Sequence, residues 1–199
     1  AALLDGTQYT VSAAATQNGS ALAEPVITLT DAYGNVTTGT GSAKVIAGDY
    51  KFSVSDGGHN RTDGTLTVSA DAKVSVTLPY GEWFGNIRLL DADKEPYRVV
   101  QNRADHTVEY WIEDTASALS SVYLNAAMGK VPDTKATKLR TIYTGTNGRD
   151  MSNLSRSWNS TATSLTYLLT SGMENRTFPL EAQYTGSDGY TQIQSYTVT

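Results

Sequence analysis

The sequence contains no cysteine and only two histidines among its 199 residues. The absence of cysteine excludes disulfide bonds and thiolate metal sites. His59 and His106 fall on either side of the domain boundary predicted below, so chemistry that requires paired imidazoles is not expected. Lys and Arg number 15 against 20 acidic residues and form no cluster. With a net charge of -5, the chain has no basic surface to attract nucleic acid.

Long apolar segments are also missing. No run approaches the about 18 residues needed to span a bilayer, so we expect no membrane insertion within this sequence. The first residues, Ala1–Asp5, lack the basic segment of a signal peptide. Strand-like sequence begins already at Asp5–Val11 and resumes at the other end in Tyr196–Thr199. We therefore expect a piece of a longer chain.

Motifs of known enzyme classes are absent too. There is no Gly-X-Ser-X-Gly elbow and no glycine-rich loop of the kind that holds phosphates. Five acidic residues could in principle serve a glycosidase, but their spacing fixes no pair. They are Glu109, Glu113, Asp114, Glu174 and Glu181. The sequence predicts a protein that is not an enzyme and has no nucleotide cofactor.

Two loops contain enough oxygen ligands to leave a structural calcium ion as an open alternative. They are Asp91–Glu95 and Thr146–Asn153. Neither matches the twelve-residue EF-hand loop, and Lys94 opposes a cation in the first. We expect no cofactor other than this possible calcium.

What the sequence does contain is typical of an all-β protein. Thr, Ser and Gly are plentiful, Tyr occurs 12 times, and Phe and Trp occur 3 times each. No window carries the period of an amphipathic helix. In Val74–Leu78 apolar and polar residues alternate, which predicts a strand with one buried face. The other strands predicted before residue 80 are Tyr9–Ala13, Val26–Thr30, Ser42–Ile46, Tyr50–Val54 and Thr65–Val68.

Loops and turns between these strands are predicted from Gly, Asn and Asp. Asp31–Asn35 is expected to form a loop. Ala47–Asp49 is short enough to be the turn of a hairpin. Six short strands in this length predict a small β-sandwich over residues 1–79.

This first domain resembles a known family. Val26–Asp31, Gly64–Val68, Val74–Leu78 and above all the Ala-Gly-X-Tyr element of Ala47–Val54 resemble the B-type repeat of Gram-positive collagen adhesins and the related PEGA and carboxypeptidase-regulatory-like domains. The resemblance implies a prealbumin-like sandwich that acts as a stalk. Many such repeats carry a Lys–Asn isopeptide bond. Val26–Thr30 has no Lys and Val74–Leu78 has no Asn, so no such cross-link is expected.

A second β-sandwich is predicted over residues 80–199, after the break at Pro79–Glu82. Phe178–Tyr184 and Tyr190–Val198, joined by a turn with Asp188 and Gly189, resemble the closing hairpin of bacterial immunoglobulin-like domains. Trp111 is expected to face the interior. The other predicted strands are Trp83–Leu90, Tyr97–Val100, Thr107–Ile112, Ser121–Asn125, Leu139–Tyr143 and Ser164–Leu169.

The candidate ligand-binding residues lie in this second domain. The polar stretch Thr144–Asn153 predicts a long loop, in which Asn147, Asp150 and Asn153 could contact a ligand. Trp158, in a polar context, and Trp83 could offer exposed rings for sugar stacking. The alternative is a variable surface loop with no partner, and tryptophans that belong to the core.

The sequence as a whole predicts two tandem immunoglobulin-like or prealbumin-like β-sandwich domains. We expect a monomeric, extracellular structural or adhesive module of a larger bacterial cell-surface protein. Its first domain would be a stalk, and its partner would be a host or matrix protein or a glycan. The alternative is a carbohydrate-binding accessory module of a multidomain cell-surface glycoside hydrolase.

Overall fold

The computed structural model describes residues 6–90, 98–111, 123–128, 137–141, 164–168 and 177–199. All regular structure in these ranges is β-strand. None of the described segments forms a helix long and apolar enough to cross a membrane. The chain divides into two compact units, which we call unit 1 and unit 2. Unit 1 comprises residues 1–80 and 185–193, and unit 2 comprises residues 81–184 and 194–199.

Unit 1 contains eight complete strands. They are β1 (Gln8–Gln17), β2 (Ser20–Ala21), β3 (Val26–Asp31), β4 (Val36–Thr40), β5 (Ser42–Ile46), β6 (Gly48–Ser55), β7 (Asn60–Val68) and β8 (Ala72–Leu78). In one sheet β1 pairs antiparallel with β2 and β5 and parallel with β8. In the other, β4, β3, β6 and β7 follow in order, and neighbouring strands are antiparallel. Both sheets contribute to one core.

The core of unit 1 follows from the alternation seen in the sequence. Val74, Val76 and Leu78 are buried on β8 while the residues between them are exposed. From the second sheet, β3 and β6 contribute their own alternate residues, among them Leu29 and Phe52. All of these belong to a single apolar cluster. Unit 1 is thus a β-sandwich, the architecture predicted for residues 1–79.

One predicted connection in unit 1 is wrong. Ala47–Asp49 does not close a hairpin, because β5 pairs with β1 while β6 pairs with β3 and β7. The chain passes here from one sheet to the other. Val45 on β5 and Tyr50 on β6 are both buried in the shared core, which this crossing allows. A sequence-local turn signal could not distinguish the two connections.

Beyond residue 80 the structure has strands at all eight positions predicted for the second domain. They are β9 (Phe84–Leu90), β10 (Arg98–Asn102), β11 (Thr107–Trp111), β12 (Tyr123–Met128), β13 (Thr137–Thr141), β14 (Ser164–Leu168), β15 (Phe178–Thr185) and β16 (Thr191–Val198). One sheet has the order β14, β12, β9. In the other, β11 pairs antiparallel with β10 and parallel with β16, and β15 pairs with β13 and β16.

The predicted closing hairpin is formed by β15 and β16. Its turn is closed by the Gly186 N–H, which donates to the Tyr190 carbonyl at 2.9 Å. The sequence assigned the whole hairpin to the second domain. In the structure, residues 185–193 at its turn belong to unit 1, where Tyr190 packs edge-to-face on Phe52 with ring centroids 5.2 Å apart.

Candidate functional site

Two turns of unit 1 are built on the same pattern, an Asp followed four residues later by an Asn. At the β3–β4 turn, Asp31 accepts hydrogen bonds from the backbone N–H groups of Tyr33 and Asn35 at 2.8 and 2.9 Å, and from the Asn35 side chain at 2.8 Å. At the β6–β7 turn, Asp56 accepts from the Gly58 N–H at 2.8 Å and from the Asn60 side chain at 2.8 Å. A single carboxylate organises each turn.

These hydrogen bonds stabilise the ionised carboxylates. The side chain of Asn35, followed by backbone donors, holds the pKa of Asp31 below its ordinary value. Burial acts to raise the pKa of Asp56, but hydrogen bonds from Asn60, Gly58 and Gln17 outweigh it, so that this pKa also lies below the ordinary value. In both turns the hydrogen bonds therefore favour the charged form of the carboxylate.

A shallow groove lies beside the Asp31 turn, at neighbouring positions of β3, β6 and β7. It is lined by residues 30–32, 49–51 and 65–67 and has a volume of about 470 Å³. We call it the outer groove. Lys51 lies between Thr30 on β3 and Thr65 on β7, because the strand register places the three in one row. Ligand pockets commonly have volumes of this size.

The outer groove has polar groups of both kinds and an aromatic side chain next to it. The Asp49 carboxylate accepts a hydrogen bond from the Thr67 hydroxyl at 2.6 Å. Lys51 is exposed and makes no ion pair with any residue of the described ranges. Tyr33 directly follows Ala32, which lines the groove, and is 93% exposed.

Unit 2 holds a different cluster of titratable side chains. The Tyr196 hydroxyl donates to Glu82 at 2.5 Å, and the His106 ring stacks on the Tyr196 ring with centroids 4.6 Å apart. The second Glu82 oxygen lies 3.9 Å from His106 Nε2, and Arg103 lies 3.9 Å from the first. Burial, and then the hydrogen bond to Glu82, raises the pKa of Tyr196. Because Tyr196 is fully buried, the cluster fastens β16 to the start of unit 2.

Only one of the five predicted ligand-binding residues lies in the described ranges. Trp83 is 3% exposed, so its ring offers no face to a sugar. Asn147, Asp150, Asn153 and Trp158 lie outside the described residues. The same holds for both candidate calcium loops, Asp91–Glu95 and Thr146–Asn153. In the ranges that the structure does describe, no three acidic or histidine side chains meet as metal ligands would.

Sequence reasoning treated Asp31–Asn35 only as a loop and missed the outer groove. The Asp-X-X-X-Asn spacing, present again at Asp56 and Asn60, was the available signal for an ordered turn. The groove itself depends on which residues the three strands bring side by side. That register is set by packing between β3, β6 and β7 and has no local signature.

No protein-family model matches the chain, and no curated protein matches it. Among solved structures, it is similar to a DUF3823 family protein from Parabacteroides merdae, at 14% identity and a TM-score of 0.32, over 98% of this chain and 100% of that one. A DUF3823 family protein from Bacteroides ovatus matches at 14% identity and a TM-score of 0.28, over 96% and 98% of the two chains. Likeness at this level supports no argument about function.

Proposed function

We propose that this chain is a non-enzymatic, extracellular structural and adhesive module of a larger bacterial cell-surface protein. In this proposal unit 1 is a spacer that withstands tension, while the module contacts a host or matrix ligand. The observation that carries the proposal is the parallel pairing of β1 with β8, which joins the first and last strands of the continuous part of unit 1 over seven residue pairs, from Val11 with Ala72 to Gln17 with Leu78.

The direction of this pairing determines how unit 1 responds to force. Tension applied at Gly6 pulls β1 towards its amino-terminal end, and tension at Tyr80 pulls β8 towards its carboxyl-terminal end. Because the two strands are parallel, these forces act along the strands in opposite directions. The evenly spaced hydrogen bonds of a parallel pair are then loaded together rather than one after another. A domain with this geometry suits a stalk.

Side-chain contacts reinforce the same pair of strands. The Thr10 N–H donates to Asp71 at 2.7 Å, and the Ser12 hydroxyl donates to the Ala72 carbonyl at 3.2 Å. Gln17, at the other end of β1, donates to the Pro79 carbonyl at 2.7 Å. These bonds tie the two strands together at both ends of the paired segment.

Single-molecule force spectroscopy tests the spacer role. The cysteine-free sequence allows handles to be attached at introduced cysteines. In the intact chain, the pair Gly6→Cys and Tyr80→Cys loads β1 and β8 in shear. The pair Gly6→Cys and Ala70→Cys pulls on the adjacent ends of the same strands and peels them apart. We expect a clearly higher unfolding force for the first pair, since forced unfolding depends on the barrier along the pulled direction. Equal forces for the two geometries would contradict the proposal.

The adhesive and surface parts of the proposal need a separate measurement. The full chain, immobilised on beads, is presented to a panel of extracellular-matrix proteins and glycans, and binding is compared with beads that carry an unrelated β-sandwich. Antibody labelling of intact cells then checks whether the protein is exposed at the surface. Absence of surface labelling would rule out the extracellular assignment whatever the force measurement shows.

A second candidate function is a carbohydrate-binding accessory module of a cell-surface glycoside hydrolase. Burial of Trp83 removes one of the two tryptophans expected to stack on sugars. A different observation favours the candidate, namely Tyr33, which is 93% exposed and directly follows Ala32 of the outer groove in sequence. Both candidates therefore share the possibility of a glycan ligand.

A further inference from the structure

We propose that residues 185–193 of one copy dock on unit 1 of a second copy, so that two chains exchange these segments and form a dimer. We call residues 185–193 the hairpin tip, and the edge of β7 that takes it the acceptor edge. Within one chain the tip belongs to unit 1, where β16 lies beside β7 in the sheet. A second copy carries the same tip, so the contacts within one chain describe the contacts expected between two. The inference goes beyond the proposed function and replaces the monomer expected from the sequence.

The acceptor edge has a recess that matches the tip. Gly64 on β7 lacks a side chain, and a Cβ atom there would lie 2.8 Å from Tyr190 Cδ1. The Tyr190 ring therefore occupies space that only a glycine leaves free, and it meets Phe52 edge-to-face with centroids 5.2 Å apart. Glycine within a strand often marks the close approach of another segment. The recess selects a segment with an aromatic ring at this position, which the tip supplies.

The tip holds its own shape through internal hydrogen bonds. The Gly186 N–H donates to the Tyr190 carbonyl at 2.9 Å, and the Gly189 N–H donates to the Gly186 carbonyl at 3.1 Å. The Tyr190 N–H donates to the Asp188 carboxylate at 3.0 Å. All of these bonds lie within the tip, so they persist when it leaves the acceptor edge. A segment that is already ordered loses little conformational entropy when it docks again.

Unit 1 keeps its core when the tip leaves. Among the described residues, the buried members of the core cluster all lie between Val11 and Leu78, and Tyr190 is a partly buried residue packed against them. The Gln192 amide joins the tip to β8 through the Thr77 carbonyl at 3.2 Å. Thr77 is exposed, so water can replace this bond. The tip is therefore an addition to a complete sandwich, and it can be exchanged without unfolding the sandwich.

An acceptor edge without a tip invites another strand. The edge of β7 is then unpaired, and exposed strand edges pair readily with strands of other chains. Residues 81–184 separate the tip from the first part of unit 1, so no short loop holds the tip on its own chain. The tips of the same chain and of a second copy make the same contacts, so concentration decides which of them docks. Reciprocal exchange fills both acceptor edges and closes the dimer.

The test mixes two variants of the intact chain, each of which weakens the tip contact within its own chain. Tyr190→Ala removes the ring from the tip and leaves the acceptor edge intact. Gly64→Ala crowds the acceptor edge and leaves the tip intact. In a mixed dimer, the intact tip of the second variant docks on the intact acceptor edge of the first. We expect the dimer fraction, measured by size-exclusion chromatography with light scattering, to rise by about tenfold over either variant alone.

A mixture of Gly64→Ala with Tyr80→Ala is the matched control. Tyr80 is an exposed tyrosine outside the tip, at 59% exposure, and a chain with Tyr80→Ala keeps a tip that fills its own acceptor edge. This mixture should gain no dimer. The proposal is overturned if Gly64→Ala with Tyr190→Ala forms no more dimer than the control mixture. Circular dichroism of each variant checks that it is folded.

Cross-linking between otherwise wild-type chains locates the contact and does not depend on the folding of these variants. The chain has no cysteine, so one chain carries only Thr77→Cys and the other only Gln192→Cys. A short bismaleimide should join the two chains, in a fraction that rises with protein concentration. Lys44→Cys, at an exposed position of β5, replaces Gln192→Cys in the control. A yield no higher than that of the control at any concentration would overturn the proposal. Neither outcome alters the force measurement on β1 and β8.

Discussion

The side chain of Gln194 makes the hydrogen bonds to the backbone around Trp83 that a neighbouring strand would otherwise make. Its Oε1 accepts the Trp83 N–H at 2.8 Å, and its Nε2 donates to the Gly81 carbonyl at 2.8 Å. Gln194 is fully buried, and it begins the part of β16 that belongs to unit 2. One amide therefore satisfies both a donor and an acceptor of the segment with which unit 2 begins. Buried backbone groups without such partners are rare in folded proteins.

Replacing Gln194 with Leu should destabilise unit 2. The variant leaves the Trp83 N–H without a partner in a buried position, whereas water can reach the exposed Gly81. An unsatisfied buried group costs about 1–3 kcal/mol, and we expect a loss of this size in the free energy of unfolding. Urea denaturation followed by tryptophan fluorescence measures it. Gln192→Leu is the matched control, because the Gln192 amide donates at 3.2 Å to the exposed Thr77 carbonyl, which water can satisfy. Equal losses in the two variants would contradict this account.

Gly64 on β7 leaves room for two aromatic rings. A methyl group at Gly64 would lie 2.5 Å from Phe52 Cζ and 2.8 Å from Tyr190 Cδ1. Phe52 is buried and packs against Tyr190, so neither ring can move away freely. We expect Gly64→Ala to destabilise unit 1 by about 1–3 kcal/mol through overpacking. Thermal unfolding checks this against Gly6→Ala, where nothing lies within 4 Å of the added methyl. A Gly64→Ala protein as stable as Gly6→Ala would refute the packing argument.

The β6–β7 turn should lose stability in acid. The pKa of Asp56 is below its ordinary value in the folded protein, so its contribution is present above the unfolded pKa of about 3.9 and disappears as the pH falls through the folded pKa. At pH 7 we expect Asp56→Ala to cost about 1 kcal/mol, since the carboxylate is partly solvated. The difference between the wild type and the variant, measured by denaturant unfolding, should shrink as the pH drops below about 4. A difference that does not change with pH would mean that the charge is not what stabilises the turn.

Much of the fold could be predicted because buried strands alternate. Val74–Leu78 and the other predicted strands of unit 1 all appear, with most of their apolar residues in the core. Strand β4 was missed because Val36–Thr40 is an edge strand in which no residue is fully buried. Its sequence therefore carries no alternation of apolar and polar residues. The hairpin predicted at Ala47–Asp49 was wrong for another reason, since the pairing partner of a strand is decided by the whole core.

The candidate site was less predictable than the fold. Trp83 was chosen for its ring, but its neighbours in sequence do not reveal that Gln194 fixes the backbone and that the side chain is buried. Tyr33 was one of 12 tyrosines with no distinguishing context. Its 93% exposure is visible only in the structure, as is the row that brings Lys51 between Thr30 and Thr65. Such long-range juxtapositions cannot be derived from local pattern.

Unit 2 should lose stability in alkali through Tyr196. The pKa of this residue is raised by burial and by the hydrogen bond to Glu82. A raised folded pKa means that the contribution is fully present below the unfolded pKa of about 10 and is lost as the pH rises through the folded value. Tyr196→Phe keeps the ring that packs on Phe84 and removes the group that ionises. We expect its stability to fall less than that of the wild type between about pH 9 and pH 11 in denaturant unfolding.

Glu82→Gln separates the two causes of the raised Tyr196 pKa, which are burial and the hydrogen bond to the Glu82 carboxylate. The variant keeps a carbonyl oxygen that can accept from Tyr196 but removes the charge that opposes ionisation of the phenol. If the carboxylate contributes as its 2.5 Å contact indicates, the alkaline loss of Glu82→Gln should lie between those of the wild type and Tyr196→Phe. If Glu82→Gln instead follows the wild type at every pH, burial alone holds the Tyr196 proton. The Glu82 contact would then serve only to position β16.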